Sequence, residues 1–199
     1  MNSNRQFLII NKLNNEVKEN IKKFININII LYNFDDQTKD RLKISNFNTE
    51  EVVNFCKKNQ LPFYITDDYK LALQTKANGI FLSAKNKKII PKIQKLNFEI
   101  IGSAHNQIEY CFKKKQGCTL LMLSPIFFNK KYSESKILGP IKFNLISNSW
   151  NNDLCALGGI SSKRLNKIKL TRATSIAFVS LVLEVQIKKP VYFVSRRAF

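Results

Sequence analysis

What the chain has little of narrows its chemistry first. It carries one histidine, His105, and four cysteines, Cys56, Cys111, Cys118 and Cys155, among 199 residues. No two cysteines share a CxxC spacing and a single histidine cannot complete a ligand set with them, so neither a zinc site nor a dithiol redox motif is supported. They read as reduced, mostly buried thiols. No apolar run approaches the ~20 residues that a membrane-spanning helix needs. The opening stretch MNSNRQFLIINK also lacks the apolar centre of a signal peptide, and the expectation is a cytoplasmic protein with no membrane partner. Acidic residues are scarce too: 14 Asp and Glu stand against 33 Lys and Arg, a formal charge of +19.

The lysines are spread along the chain rather than gathered into a stripe. Short clusters at Lys22-Lys23, Lys57-Lys58, Lys87-Lys88 and Lys113 to Lys115 fall where helices end or loops begin, and read as solvated faces that steer anions. Basic residues interleaved with aromatics, as a single-stranded nucleic acid would need, are missing, so nucleic acid is not the expected partner. With 44% hydrophobic and 11% aromatic residues, the chain can bury one substantial core and is short for two. A single domain over 1–199, ending in a basic tail at 183–199, is the expectation.

Short continuous apolar runs alternate with helical patterns. Runs at 7–11, 27–32, 62–66, 80–83, 98–104, 119–123, 153–159 and 174–183 read as strands. Helical stretches fall at 15–24, 50–58, 69–76, 89–96, 107–116, 141–149 and 163–170, capped by Asn48 or Thr49, by Asp67 or Asp68, and by Ser161 or Ser162. Gly117 ends the helix before it. Strands buried on both faces read as unbroken apolar runs, which favours a parallel sheet. Eight such units predict a compact (β/α)8 TIM barrel, with a doubly wound open sheet as the alternative.

Chemistry is expected where strands end. Asp67, after Thr66, offers a carboxylate for a hard cation such as Mg2+, which commonly takes only one or two carboxylates; the pair Asp67-Asp68 reads equally as a helix cap. Ser103 and His105 follow the fifth strand, either as a phosphate donor and an acid-base group or as a cap and a hydrogen-bonded histidine. The long loop after Ser124-Pro125 carries Lys130 and Lys131, a candidate clamp for a diphosphate or two solvated lysines. Gly158-Gly159 precedes a Ser-capped helix, where bare backbone N–H groups can approach a phosphate. Val179-Ser180 supplies the matching backbone one strand later, the usual barrel phosphate position.

With these pieces placed, the chain resembles the thiamine phosphate synthase/TenI family of small (β/α)8 barrels. The resemblance runs from about Pro62 to Leu183 through ITDDYKLALQTKANGIFLS, SAHN, LSPIFFNKKYSESKILGP and ALGGISSKRL. It implies a magnesium-dependent transfer in which hydroxymethylpyrimidine diphosphate loses pyrophosphate and a thiazole phosphate captures the carbocation. It also implies metal contacts at Asp67 and Asn86, catalytic cations at Lys130 and Lys131, and substrate contacts at Thr66, Ser103, Asn129, Gly158, Gly159, Val179 and Ser180. Small phosphorylated substrates are the partners so implied, and a homo-oligomer is left open. The chain departs from the pattern on the leaving-group side. Asn86 stands where the family has a second acid, Tyr32 to Asp36 replace a Gln-x-Arg-x-Lys run, and Asn129 to Tyr132 shift the loop lysine. Ser124-Pro125 stands where the tautomerase branch has its histidine. The alternative reading is a divergent TenI-like or non-catalytic phosphate-binding barrel.

Overall fold

Every strand is short and flanked on both faces by apolar side chains, and the architecture follows from that. In the computed structural model, residues 5–22, 24, 26–32, 46–95, 98–128 and 133–179 are described. The chain runs β1 (Gln6–Ile10), α1 (Asn15–Ile21), β2 (Ile27–Leu31), α2 (Asn46–Lys58), β3 (Phe63–Thr66) and α3 (Tyr69–Gln74). It continues through β4 (Gly79–Leu82), α4 (Pro91–Gln94), β5 (Glu99–Ala104), α5 (Gln107–Lys115) and β6 (Leu120–Leu123). The last units are α6 (Gly139–Ile146), β7 (Asp153–Leu157), α7 (Leu165–Ile168) and β8 (Ser175–Val179). The strands pair in sequence order, all parallel, and β1 closes on β8 through registers such as Leu8 with Phe178. The fold is the expected (β/α)8 barrel, and the open doubly wound sheet is excluded.

Alternation along each strand sorts the core into two layers. Phe7, Ile30, Phe81, Ile101 and Met122 fill the barrel interior, while Leu8, Ile29, Leu82, Leu121 and Phe178 pack outward against the helices. The interior is therefore a packed core with its polar groups gathered at the two ends. Each strand delivers its last inward-facing residue to that rim.

Several local expectations change. Helix α2 begins at Asn46, so Asn48 and Thr49 lie inside it rather than capping it. Asp68, not Asp67, caps α3 by accepting the Leu71 N–H at 3.0 Å. Neither Ser161 nor Ser162 caps the last helix through its side chain; a 3-10 turn at Ser162–Arg164 leads into α7. The seventh strand stops at Leu157, leaving both glycines in the loop with positive φ. The turn at Asn33 to Asp36, the loop residues Asn129, Lys130 and Lys131, Ser180 and the tail at 183–199 lie outside the described residues.

Candidate active site

The rim at the carboxyl ends of β3 to β8 gathers the polar groups that the sequence marked. Asp67 directly follows β3 in a left-handed conformation (φ 57°), which an aspartate tolerates better than most residues. Its backbone N–H donates to Phe81 O at 2.9 Å, continuing the β3–β4 ladder. Its Oδ1 accepts two bonds, from Ser83 N–H at 3.0 Å and from the Asn86 side-chain amide at 2.7 Å. Asp67 and Asn86 are thus brought together from opposite ends of the β3–β4 unit. The amide orientation follows from the other end of the same group, since Asn86 Oδ1 accepts the Lys88 N–H at 2.9 Å. The asparagine accordingly presents hydrogen to the carboxylate, and Asp67 Oδ2 is the carboxylate oxygen without a donor among the described residues.

Three serine hydroxyls continue the rim. Ser83, Ser103 and Ser124 each stand two residues beyond an interior residue, Phe81, Ile101 and Met122, so alternation turns all three toward the mouth. All three are buried, yet among the described residues none of their hydroxyls has a hydrogen-bond partner. The hydroxyl oxygens themselves are not sealed off, since the described side-chain atoms that are buried without a partner are Gln6 Oε1 and Thr49 Oγ1, so the three serines stay open to a ligand or water entering the mouth. Thr66, also on the rim, donates its hydroxyl to Leu31 O at 2.7 Å and keeps only acceptor capacity for anything above it.

His105 has a partner that the sequence reading did not supply. Its Nδ1 lies 2.9 Å from Glu109 Oε2, and the same oxygen accepts the His105 N–H at 2.7 Å. His105 directly precedes Asn106, which caps α5, so an i, i+4 reading from His105 would have found the pair.

Across the mouth, the β7 loop is built by backbone. Phe127 N–H donates to Gly158 O, and Arg164 Nη1 donates to both Gly159 O and Phe128 O at 2.9 Å. At Gly159 (φ 67°) an added Cβ would run into the carbonyls of Phe127 and Phe128, the latter at 2.6 Å. This glycine is therefore required for the approach of the β6–α6 loop, whatever else its N–H binds. Val179 ends β8 half-buried against the interior cluster.

The largest revision concerns Lys113. The cluster Lys113 to Lys115 reads in sequence as a solvated face, but Lys113 is fully buried at 0% exposure while Lys114 and Lys115 face solvent. Its Nζ donates to Ser83 O at 2.6 Å, Asn86 O at 2.8 Å and Gln116 Oε1 at 3.0 Å. Burial pulls its pKa down, opposed by Cys118, Asp67 and Glu109. The available signal was helical spacing: Lys113 lies three residues after Tyr110, the other buried residue of α5. The thiols are inert by the same physics, since burial pushes Cys56, Cys118 and Cys155 up to about 12. Among the described residues no group of three or more His, Cys, Asp or Glu could hold a metal, and no helix is long and apolar enough to cross a membrane.

Comparison with known proteins places the barrel. The family described as thiamine monophosphate synthase matches residues 7–182. A thiamine-phosphate synthase of Flavobacterium johnsoniae is 32% identical over 148 residues, covering 70% of each chain. One from Prochlorococcus marinus is 29% identical over 136 residues, 67% of this chain but 39% of that protein, so the chain spans about two fifths of this longer relative. Among solved structures, a thiamine phosphate pyrophosphorylase from Pyrococcus furiosus superposes with a TM-score of 0.69 at 18% identity, over 96% of this chain and 93% of that one. At that identity the structural likeness speaks for the fold.

Proposed function

We propose, since the chain belongs to the thiamine monophosphate synthase family, that it joins hydroxymethylpyrimidine diphosphate to a thiazole phosphate. The products are thiamine phosphate and pyrophosphate. The observation that carries this reading is the rim, where, among the described residues, Asp67 keeps one open carboxylate oxygen and Ser83, Ser103 and Ser124 keep hydroxyls without partners. In the reaction, the bond from the pyrimidine methylene to the diphosphate oxygen breaks and its electron pair leaves with the diphosphate. The thiazole nitrogen lone pair then forms the new carbon–nitrogen bond.

Mg2+, which is commonly satisfied by one or two carboxylates with water and substrate phosphate, fits the open oxygen of Asp67 and would supply charge neutralisation on the leaving diphosphate. Asn86 reaches a cation only by turning its amide over and giving up the Lys88 bond; as folded, it orients Asp67. Ser103, flanked by Ser83 and Ser124, donates to diphosphate oxygens, and Thr66 accepts from the pyrimidine side. Lys130 and Lys131, with Asn129, are the cations and polar group assigned to the leaving group from the β6–α6 loop. The N–H groups of Gly158, Gly159, Val179 and Ser180 hold the thiazole phosphate, leaving its ring nitrogen directed at the pyrimidine. A cytoplasmic setting suits a reaction between small phosphorylated metabolites.

A second reading, a phosphate-binding barrel without transfer, is favoured by one observation: Asn86 shows Asp67 an N–H and not an oxygen. The two readings separate in a coupled assay with both substrates and Mg2+, following thiamine phosphate. The synthase makes product that disappears with chelator and falls by about 100-fold or more in Asp67→Ala. No product, with thiazole phosphate still bound in a calorimeter, establishes the binder instead.

A further inference from the structure

A buried ammonium with no carboxylate in ion-pair reach is costly to fold around, and Lys113 is one among the described residues. Its stem crosses the face of Gly102 so closely that a Cβ there would lie 2.8 Å from Lys113 Cδ. Apart from Gln116 Oε1 on its own helix end, the groups that it serves belong to one loop, the segment from Ser83 to Lys88 between β4 and α4.

That loop is gripped from below at three carbonyls. Lys113 Nζ donates to Ser83 O and Asn86 O, and Gln116 Nε2 donates to Asn86 O at 3.1 Å and Lys88 O at 2.8 Å. Lys113 and Gln116 are themselves joined through Gln116 Oε1. Ser83 and Asn86 are thus each held through their own carbonyl on one side and turned to Asp67 through another group, the Ser83 N–H of the preceding peptide and the Asn86 side-chain amide. Ser83 N–H and the Asn86 amide then both point at Asp67 Oδ1. The geometry points to Lys113 as a positioning residue that, through the Ser83–Asn86 loop, saturates one oxygen of Asp67 and leaves the other alone to the mouth. This inference rests on the reading of Asp67 as the group that meets a metal-bound diphosphate. It adds that one face of the mouth is set by a cation behind it, while the β7–β8 face, which Lys113 does not touch, is set independently.

The test uses the full chain and Lys113→Met, which keeps length and removes the donors. Two ligands are titrated by calorimetry, inorganic pyrophosphate with Mn2+ and thiazole phosphate alone. Pyrophosphate with Mn2+ should bind tenfold or more weakly in the variant, with thiazole phosphate affinity unchanged; in turnover, KM for the diphosphate should rise and KM for thiazole phosphate should not. Equal loss at both ligands, or no loss at either, overturns the assignment, because a merely structural lysine would not select one side. Should Lys113→Met fail to fold, Gln116→Leu, which removes the second grip on the same loop, should weaken pyrophosphate binding in the same selective way. Hydrogen exchange decides the matter apart from the synthase reading. If wild-type protein binds no pyrophosphate with Mn2+, the reading of Asp67 fails. The grip still stands if Lys113→Met, or Gln116→Leu, speeds exchange at the Ser83 and Lys88 amides alone, and falls if it does not.

Discussion

The two ends of the barrel treat buried polarity in opposite ways. At the end away from the mouth, Arg5, Tyr64 and Glu99 satisfy one another: Arg5 forks onto both Glu99 oxygens at 2.6 and 2.8 Å, and Tyr64 donates to Glu99 Oε2 at 2.7 Å. Arg5 also donates to Tyr64 Oη and lies 4.9 Å from the Phe7 ring centroid. Bidentate geometry of this kind is the strong form of an ion pair. At the mouth, Ser83, Ser103 and Ser124 are more deeply buried than Arg5 and Glu99, and among the described residues their hydroxyls have no such partners. One end pairs its charged groups within the chain and contributes stability, although Gln6 Oε1 there has no partner among the described residues; the other keeps donors in reserve for a ligand. Substitutions at the two ends should therefore move different observables.

The largest expected effect on folding is at the closed end. Glu99→Ala removes one partner of a pair whose side chains are about a quarter exposed, leaving Arg5 and Tyr64 uncompensated. Loss of about 2–3 kcal/mol is expected, below the fully buried case because solvent screens part of it. In a urea melt the midpoint should fall, while diphosphate and thiazole phosphate affinities below the transition stay at wild-type values. A drop in ligand affinity at full folding would erase the distinction between the ends.

A smaller effect of the opposite kind is expected from Ser103→Ala. The hydroxyl makes no bond within the chain, so its removal should leave the melting midpoint unchanged or slightly raised. Affinity for pyrophosphate with Mn2+ should fall about 5- to 10-fold, the worth of one ordinary net hydrogen bond of about 1 kcal/mol. A destabilised variant that binds as tightly as wild type would show that the rim serines are structural.

Much of this layout was legible in the sequence, for reasons that differ by element. The strands could be read because both faces of each are covered, so that LLML or GIFL appears as an unbroken apolar run. Asp68 and Gly117 could be read because caps are local chemistry within three residues. Of the residues that the resemblance named, Asp67 and Asn86 hydrogen-bond to each other, and Ser103 lies near the carboxyl end of the next strand, β5. What could not be read was long-range. Lys113 reaches Asn86 across 27 positions and Arg5 reaches Glu99 across 94, and no local pattern encodes either contact. A lysine inside a KKK run resembles its solvated neighbours until helix phase is considered. The glycine pair also carried two demands at once: a phosphate anchor was expected, and Gly159 meets a packing demand from the β6–α6 loop as well.

The finest test of the comparison is pH. Burial alone would raise the Glu99 carboxyl, but the bonds from Arg5 and Tyr64, together with the guanidinium charge, outweigh it and hold the pKa below the ordinary carboxylate value. A carboxylate depressed in the fold adds stability that is fully present above its unfolded pKa of ~4.3 and is lost as pH falls through the lower folded value. The closed end should therefore weaken below about pH 4.3 and be indifferent to pH from 5 to 7, since Arg5 stays charged throughout, its pKa held up by Glu99 against burial. In Glu99→Gln this part of the acid dependence should vanish: wild type and variant should differ most in stability at pH 6 and converge toward pH 3. A constant gap over that range would mean that Glu99 contributes packing and not charge. The closed end would then no longer be the ionic counterpart of the mouth.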